Sequence, residues 1–380
     1  MTYIFFSVDA RIVGVPTLVG FSITASRGHS RTFSIDNPMA TDIPSNNDYR
    51  VRSLLPDDAP GVVACVRQVY GDSYVHPEFY DAAAIVRLNE SQQLVSAVAL
   101  DPTGAVVGQY ALERPDMRPI AETGVAVVLP EHRHHQLMER MREVLEQVAA
   151  RLELIGLYGH AVTNHTFSQH VDERFHEEPC AVSLGWSPRT FHNLAEPLPQ
   201  RMTDLLYFKY LRKPEPVTVH LPEHHAEQCL RIYEEIGVRV IAGKPAPTIG
   251  PGQITVDVRR DLGRAVLRVQ TVGENSSETI VSLTDDFAGN RTEVIFLELP
   301  LAQPGTPALC RTAERLGYFF SGLGPSFAAD GDALRLQKLN VPLNPSLILA
   351  ESQHARDLLA YVIEERNRTD FQSVPACIRA

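Results

Sequence analysis

The stretch Glu122-Thr-Gly-Val-Ala-Val-Val-Leu-Pro-Glu-His-Arg-His-His-Gln-Leu-Met138 limits what this chain can fold into more than any other. Gly124 to Leu129 is an apolar run that reads as a strand, and Pro130 ends it because proline has no N–H for a sheet ladder. From about His135 to Leu152, Leu137, Met138, Met141, Val144, Leu145 and Val148 recur at helical spacing, which predicts a long amphipathic helix. A strand that turns tightly into a helix aims the helix's first, unpaired amides at the turn, with the helix dipole behind them. That makes a seat for a pyrophosphate. Ala126, Val127 and Val128 can offer backbone groups to an amide-bearing arm laid alongside as an extra strand.

The surrounding pattern places this unit in a mixed α/β sheet. Tyr49 to Leu54 alternates like a strand, Pro56-Asp-Asp58 opens an amphipathic helix with Val62, Val63, Val66 and Val69, and Ala82 to Leu88 forms a second helix. Leu94 to Leu100 and Ala105 to Leu112 make a hairpin around the turn Asp101-Pro-Thr-Gly104. After the long helix come a strand at Leu157 to Val162, a short helix near Ser168 to Arg174, and strands at Ala181 to Trp186 and Asp204 to Tyr210. The order over this part is β-α-α-β-β-β-α-β-α-β-β. Lys213-Pro-Glu-Pro-Val217 reads as a stiff linker. Beyond it, a helix near Pro222 to Gly237, strands at Ile254 to Arg259, Ala265 to Thr271 and Val294 to Leu299, a helix at Thr306 to Leu316, and strands at Tyr318 to Gly324 and Ala333 to Leu339 repeat the back end of the first series. A last amphipathic helix covers about Ala350 to Arg368. The expected division is a leader over 1–48, a first domain over 49–212, a second over 213–345, and a C-terminal helix and tail over 346–380.

Composition narrows the function classes. Of 380 residues 44% are hydrophobic and 21% charged, as in a globular protein, and the net charge of −11 comes without a basic cluster that would neutralise phosphates. A nucleic-acid partner is therefore not expected, and an amine-bearing acceptor suits the acidic balance. Cys65, Cys180, Cys229, Cys310 and Cys377 are scattered, without a CxxC pair, so a reducing cytoplasm is expected rather than a disulfide framework. The apolar stretch Ile12 to Ala25 is interrupted by Pro16, Ser22 and Thr24 and lacks a basic lead, and no apolar run spans a bilayer.

These residues resemble the GNAT superfamily of N-acetyltransferases. Its acyl-CoA loop follows a strand ending in Val-x-Pro with Arg/Gln-x-x-Gly-x-Gly/Ala at the helix start. Here Val128, Pro130 and Arg133 match, and Gln136 and Met138 stand at the two glycine positions. The resemblance implies acetyl-CoA or another acyl-CoA as donor, held by Ala126, Val127, Val128, Arg133, His134, Gln136, Leu137 and Met138. Ala161-Val-Thr-Asn-His-Thr-Phe-Ser-Gln169 resembles the segment in which an Asn contacts CoA, which points to Asn164 and Ser168. Where many members carry a Tyr that protonates the leaving thiolate, this chain has Val171-Asp-Glu-Arg-Phe-His176. Tyr70-Gly-Asp-Ser-Tyr74, Glu298-Leu-Pro-Leu301, Leu316-Gly-Tyr-Phe-Phe320 and Leu334-Arg-Leu-Gln-Lys-Leu339 resemble a subgroup with two GNAT-like domains in tandem. In that subgroup's terms the second domain here lacks the pyrophosphate loop.

Transfer to an amine requires a proton acceptor. Glu122 occupies a strand position where many members place a carboxylate, and an apolar cleft would raise its pKa toward neutrality; a solvated strand-edge Glu is the alternative. His165 is the second candidate base, against a helix-start His bonded to backbone. The histidines His132, His134, His135, His160, His165, His170 and His176 are read as a solvated group, not a metal site. A backbone amide on Val127–Val128 would hold the oxyanion. Tyr70, Tyr74 and Tyr80 fall where the superfamily covers its acceptor, a small-molecule or peptide amine. Two rivals remain open: a non-catalytic acyl-CoA sensor, and transfer from an acyl carrier protein.

Overall fold

The computed structural model describes residues 49–188 and 198–373, apart from Ser73 and Val75, together with the short strand β1 (Asp42–Ile43). The rest of the expected leader, Ser73 of the aromatic loop, and Cys377 lie outside the described residues. The first series runs β2 (Arg50–Ser53), α1 (Ala59–Tyr70), α2 (Ala82–Glu90), β3 (Leu94–Leu100), β4 (Val106–Glu113), β5 (Ile120–Val128), α3 (Leu137–Arg151), β6 (Gly156–Val162), α4 (Phe167–Arg174), β7 (Glu178–Ser187) and β8 (Met202–Tyr210). This is the element order expected from the sequence. The local causes are visible. Asp101 accepts from the amides of Thr103 and Ala105 and so builds the β3–β4 turn. Asp58 accepts from Leu55 N at 2.7 Å and pairs with Arg52, which fixes the entry to α1. α3 buries Leu137, Met141, Val144, Leu145 and Val148.

The second series runs β9 (Val217–Val219), α5 (Ala226–Glu235), β10 (Val240–Ala242), β11 (Gln253–Arg259), β12 (Arg264–Thr271), α6 (Ser276–Gly289), β13 (Val294–Pro300), α7 (Thr306–Arg315), β14 (Phe319–Ala328), β15 (Gly331–Leu339) and α8 (Gln353–Ser373). Its helix α6 was not anticipated. Thr279, Ile280, Val281 and Thr284, with Ser and Asp around them, give that segment low intrinsic helix propensity, and tertiary burial of Ile280, Thr284 and Phe287 decides it instead. The parallel pair β9–β10 was missed as well, because three-residue strands carry no readable period.

Among the described residues thirteen strands form one mixed sheet in the order β1-β2-β3-β4-β5-β6-β8-β7-β14-β15-β13-β12-β11. The path β12–α6–β13–α7–β14–β15 repeats the connections of β5–α3–β6–α4–β7–β8: a parallel pair joined by a helix, a second helix, and an antiparallel strand inserted between. The two series meet where β7 pairs antiparallel with β14, at Ala181 opposite Gly322. There the buried amide of Gln337 takes over from the ladder, accepting from Leu184 N and donating to Leu184 O. One core lies among α1, α2, α3 and β2–β5. A second spans β7, β8 and the second series without a break, from Val182 and Phe208 to Leu297, Phe320 and Leu358, and a small third cluster of Val266, Val294 and Phe296 packs against Trp186.

Gly322 has φ of +137°, and a Cβ there would stand 2.3 Å from the Cys180 carbonyl oxygen. Gly322→Ala should therefore destabilise the chain by on the order of 2 kcal/mol or more. Urea melts of the two proteins check this, and a midpoint unchanged by the substitution would show that the series junction is more pliant than its geometry implies.

Candidate active site

The site begins where two parallel strands part. β5 and β6 pair from Ile120 with Gly156 as far as Thr123 with Gly159. Beyond that point β6 stays paired with β8 up to Val162, while Gly124 to Val128 follow β4 alone. Val125, at φ +52°, lies in the irregular register between Gln109 and Ala111 that bends β5 away. The wedge between the strands exposes one edge of β5.

Register decides which backbone groups face that wedge. Leu129 N donates to Val107 O, so Val127, two residues back and opposite Gln109, also turns its N–H and C=O toward β4. Of the Val127–Val128 amides expected to hold an oxyanion, that of Val127 is therefore turned toward the sheet. Val128 faces the wedge, and its carbonyl accepts from Arg133 Nε at 3.4 Å. The Ala126 carbonyl accepts from Tyr70 Oη at 3.3 Å, so the aromatic loop closes onto β5.

At the mouth of the wedge α3 begins without a side-chain cap. Val128, Arg133, His134, Gln136, Leu137, Met138 and Glu139 line a cavity of about 330 Å³ there. His134 (φ +69°) and Gln136 (φ +56°) both adopt the left-handed region, so Gln136 keeps the turn a glycine would make and does so with a side chain. Tyr49 latches this turn from outside, with its hydroxyl 2.9 Å from His132 Nδ1 and its ring 4.6 Å from that of His135. Across the wedge, Asn164 Oδ1 and Ser168 Oγ are buried without a hydrogen-bond partner among the described residues. Arg174 of α4 pairs with Glu139 of α3 at 2.9 Å and ties the two sides together. These features suit a ligand with an anionic end at α3 and polar groups along its arm. A larger cavity of about 840 Å³ lies along α8, lined mainly by apolar groups such as Ile348, Leu359 and Ile363, and reaches Thr166 at the start of α4.

On the opposite face of the sheet the wedge opens among carboxylates. Glu113 and Glu122 stand opposite each other on β4 and β5, and Glu113 Oε1 packs over Gly124. Glu122 lies 2.9 Å from His160 Nδ1. Burial works to raise the Glu122 carboxyl, but His160 outweighs it with help from His76 and Tyr158, and the group lies below the usual glutamate range. The expectation of a Glu122 pKa near neutrality is thereby corrected, because the sequence did not reveal its histidine partner. Glu113 is the group that fits that description. Burial and the charges of Glu122 and Glu78 push it up to about 7 against the opposing effect of His76. His76, raised on balance although burial lowers it, sits 3.4 Å from Glu78 and 3.8 Å from Glu113. The Tyr74 ring lies 4.7 Å from that of Tyr70 and 5.4 Å from that of His76, while Tyr80 ties the loop to Gly71. On the other face, the Asp172 carboxyl packs beside Gly159 at the crotch of the wedge, and burial pushes it up to about 7.

His165 is not part of the carboxylate group. Its Nδ1 accepts from Phe167 N at 3.3 Å, the helix-start bond that was the alternative reading, and burial lowers its pKa. His170 pairs with Glu351 at 3.4 Å. The groups of metal-ligating side chains that converge among the described residues, such as His76, Glu78 and Glu113, do not include His132, His134, His135, His160, His165, His170 or His176. Among the described residues no helix is long and apolar enough to cross a membrane.

No family model and no curated protein matches the chain. Among solved structures it is similar to an N-acetyltransferase from Staphylococcus aureus Mu50, at 12% identity and a TM-score of 0.36 over 43% of this chain and 99% of that one. A ribosomal-protein-S5-alanine acetyltransferase from Vibrio fischeri is similar at 12% identity and a TM-score of 0.36, over 46% and 100%. The PaiA N-acetyltransferase from Thermoplasma acidophilum, in complex with coenzyme A, is similar at 12% and 0.32, over 43% and 98%.

Two predictions follow from these geometries. Gln136→Val puts a β-branched residue in the left-handed region and should cost on the order of 1–2 kcal/mol, whereas Gln136→Gly should change stability by less than about 1 kcal/mol. Thermal melts of both variants separate these outcomes. The Glu113 pKa lies above its unfolded value, so the folded state binds the extra proton and loses stability as pH rises from about 4.5 to about 7. Glu113→Gln removes that loss, and its melting temperature relative to the parent should climb over this window by roughly a few degrees.

Proposed function

We propose that the chain is an acyl-CoA-dependent N-acyltransferase, with acetyl-CoA the default donor and a small-molecule or peptide amine the acceptor. One observation carries the reading: the uncapped start of α3, with its cavity, lies beside the open edge of β5. The donor's diphosphate would sit against the amides of Leu137 and Met138 with Arg133 and His134 at the rim. Its amide-bearing arm would run along Val128, opposite the unpartnered Asn164 Oδ1 and Ser168 Oγ. Bound there, the donor supplies an activated acyl thioester.

The chain's own groups then divide the proton work. Glu122, held ionised by His160, attracts the ammonium form of the acceptor. Glu113, at about 7, can take the proton that makes the amine a nucleophile. The outward N–H of Val128 is aimed where an oxyanion would develop. Asp172, also at about 7 and at the crotch of the wedge, can return a proton to the departing thiolate in place of the tyrosine absent from its segment.

The alternative is a non-catalytic acyl-CoA sensor, which the side chains of Gln136 and Met138 at the cavity favour, since they crowd the close approach that glycine allows. Thiol release by the purified protein across a panel of amines separates the two. Transfer predicts that Glu113→Gln lowers turnover by roughly 10²-fold and removes a limb near pH 7 from the rate profile, while Glu122→Gln acts chiefly on KM. Calorimetric binding of acetyl-CoA without thiol release from any amine would favour the sensor. Unchanged kinetics in both variants would take these carboxylates out of the reaction.

A further inference from the structure

The second series brings a cation to the carboxylate face. His160, bonded to Glu122, stacks on Trp186 of β7 with ring centroids 5.1 Å apart and planes 17° from parallel. The guanidinium carbon of Arg264, from β12, lies 3.5 Å from the centroid of the Trp186 ring. Two groups of that size cannot share one face of the indole at these distances, so Arg264 covers the other. Glu122, His160, Trp186 and Arg264 therefore form a ladder that crosses from the first series to the second.

Arg264 is an incompletely compensated charge. Its Nη1 donates to the Trp186 carbonyl at 3.3 Å, and among the described residues its buried Nε has no hydrogen-bond partner and no carboxylate stands in ion-pair contact with it. Asp204, Asp257 and Glu122 are within electrostatic reach but not in contact, and burial drives the Asp204 carboxyl well above its ordinary range and weakens it as a counter-ion. Burial lowers Arg264 itself to about 10. Its neighbours Arg268 and Arg335 share one carboxylate, Glu298, at 3.1 and 3.5 Å. A partly buried guanidinium beside a partly buried indole, with no partner on its Nε among the described residues, is matched by a carboxylate, which accepts two parallel bonds from that fork.

We infer that the acceptor is an anionic amine, whose carboxylate seats on Arg264 beside Trp186 while its amine faces Glu113 and Glu122. This rests on the acyltransferase reading. Spacing adds a restriction. The imidazole and the indole both stand between Glu122 and Arg264, so an α-amino acid, with one carbon between its groups, is too short to reach both. An ω-amino acid, or a lysine side chain whose carboxylate lies several bonds from the reacting amine, has the length.

Trp186 is the chain's single tryptophan, so its fluorescence reports occupancy of this seat without any acyl donor. The full chain is titrated with glycine, γ-aminobutyrate, ε-aminocaproate and hexylamine, and thiol release from acetyl-CoA is followed in parallel. The expected result is a saturable change with ε-aminocaproate, and binding of glycine and hexylamine weaker by about tenfold or more. Arg264→Gln should abolish the response, and Arg264→Lys, which keeps the charge but not the fork, should weaken it even if the Gln variant fails to fold. Equal binding of hexylamine and ε-aminocaproate, no response to any of the probes, or a response untouched by either Arg264 variant, would overturn the inference. An Arg264-dependent response without thiol release would sink the transfer reading and leave the anion seat standing. Thiol release with hexylamine at full efficiency would do the reverse.

Discussion

The parting of β5 from β6 after Thr123 and Gly159 is the constraint on which the rest of the site depends. A parallel pair that stayed zipped would satisfy every backbone group along Gly124–Val128 and leave no wedge. The irregularity at Val125 bends β5 off its neighbour while β4 keeps hold of its other edge. Three consequences share that origin. Val128 turns its backbone edge to the wedge instead of to a neighbouring strand, the first turn of α3 stands at the mouth of the opening, and residues on both faces of the sheet reach the same gap. Asp172 approaches it from the α4 side, Glu113 and Glu122 from the other.

What could be read from the sequence was what local periodicity and turn chemistry encode. The apolar spacing from Leu137 to Val148, the proline stop at Pro130 and the Asp101 turn all report on neighbours a few residues away, and each recurs in the structure. The charge constellation did not, because it is assembled by register. Glu113 meets Glu122 only through the pairing of β4 with β5, and His160 meets Glu122 only because β6 lies beside β5. The direction of a pKa shift is fixed by such partners. A carboxylate that looked poised to be raised is instead held down, and its cross-strand neighbour takes the elevated value. Which of Val127 and Val128 faces the wedge is set by register as well, since a slip of one residue exchanges the edge that faces the sheet with the edge that faces the wedge.

Electrostatics also give the second series a bearing on the first. Its connections repeat those around the wedge, and its strands carry Arg264, Arg268 and Glu298 on the face that meets Trp186. Charges of opposite sign thus flank one stack of aromatic rings. Buried guanidinium groups are costly unless compensated, and Arg264 is compensated less fully than its neighbours.

The shared core has its own implication for how such a chain can exist at all. β7 is bordered by β8 on one side and by β14 on the other, and the apolar layer beneath it belongs to both series. A polypeptide stopped at the Pro-rich link before β9 would carry β7 as a bare, largely hydrophobic margin with its hydrogen-bonding groups unpaired, a template for joining another copy of itself. During synthesis that margin is exposed from the moment β8 closes until β14 arrives, more than a hundred residues later. Evolution can remodel the loops of either series freely, but it cannot discard the second without first finding another cover for that edge.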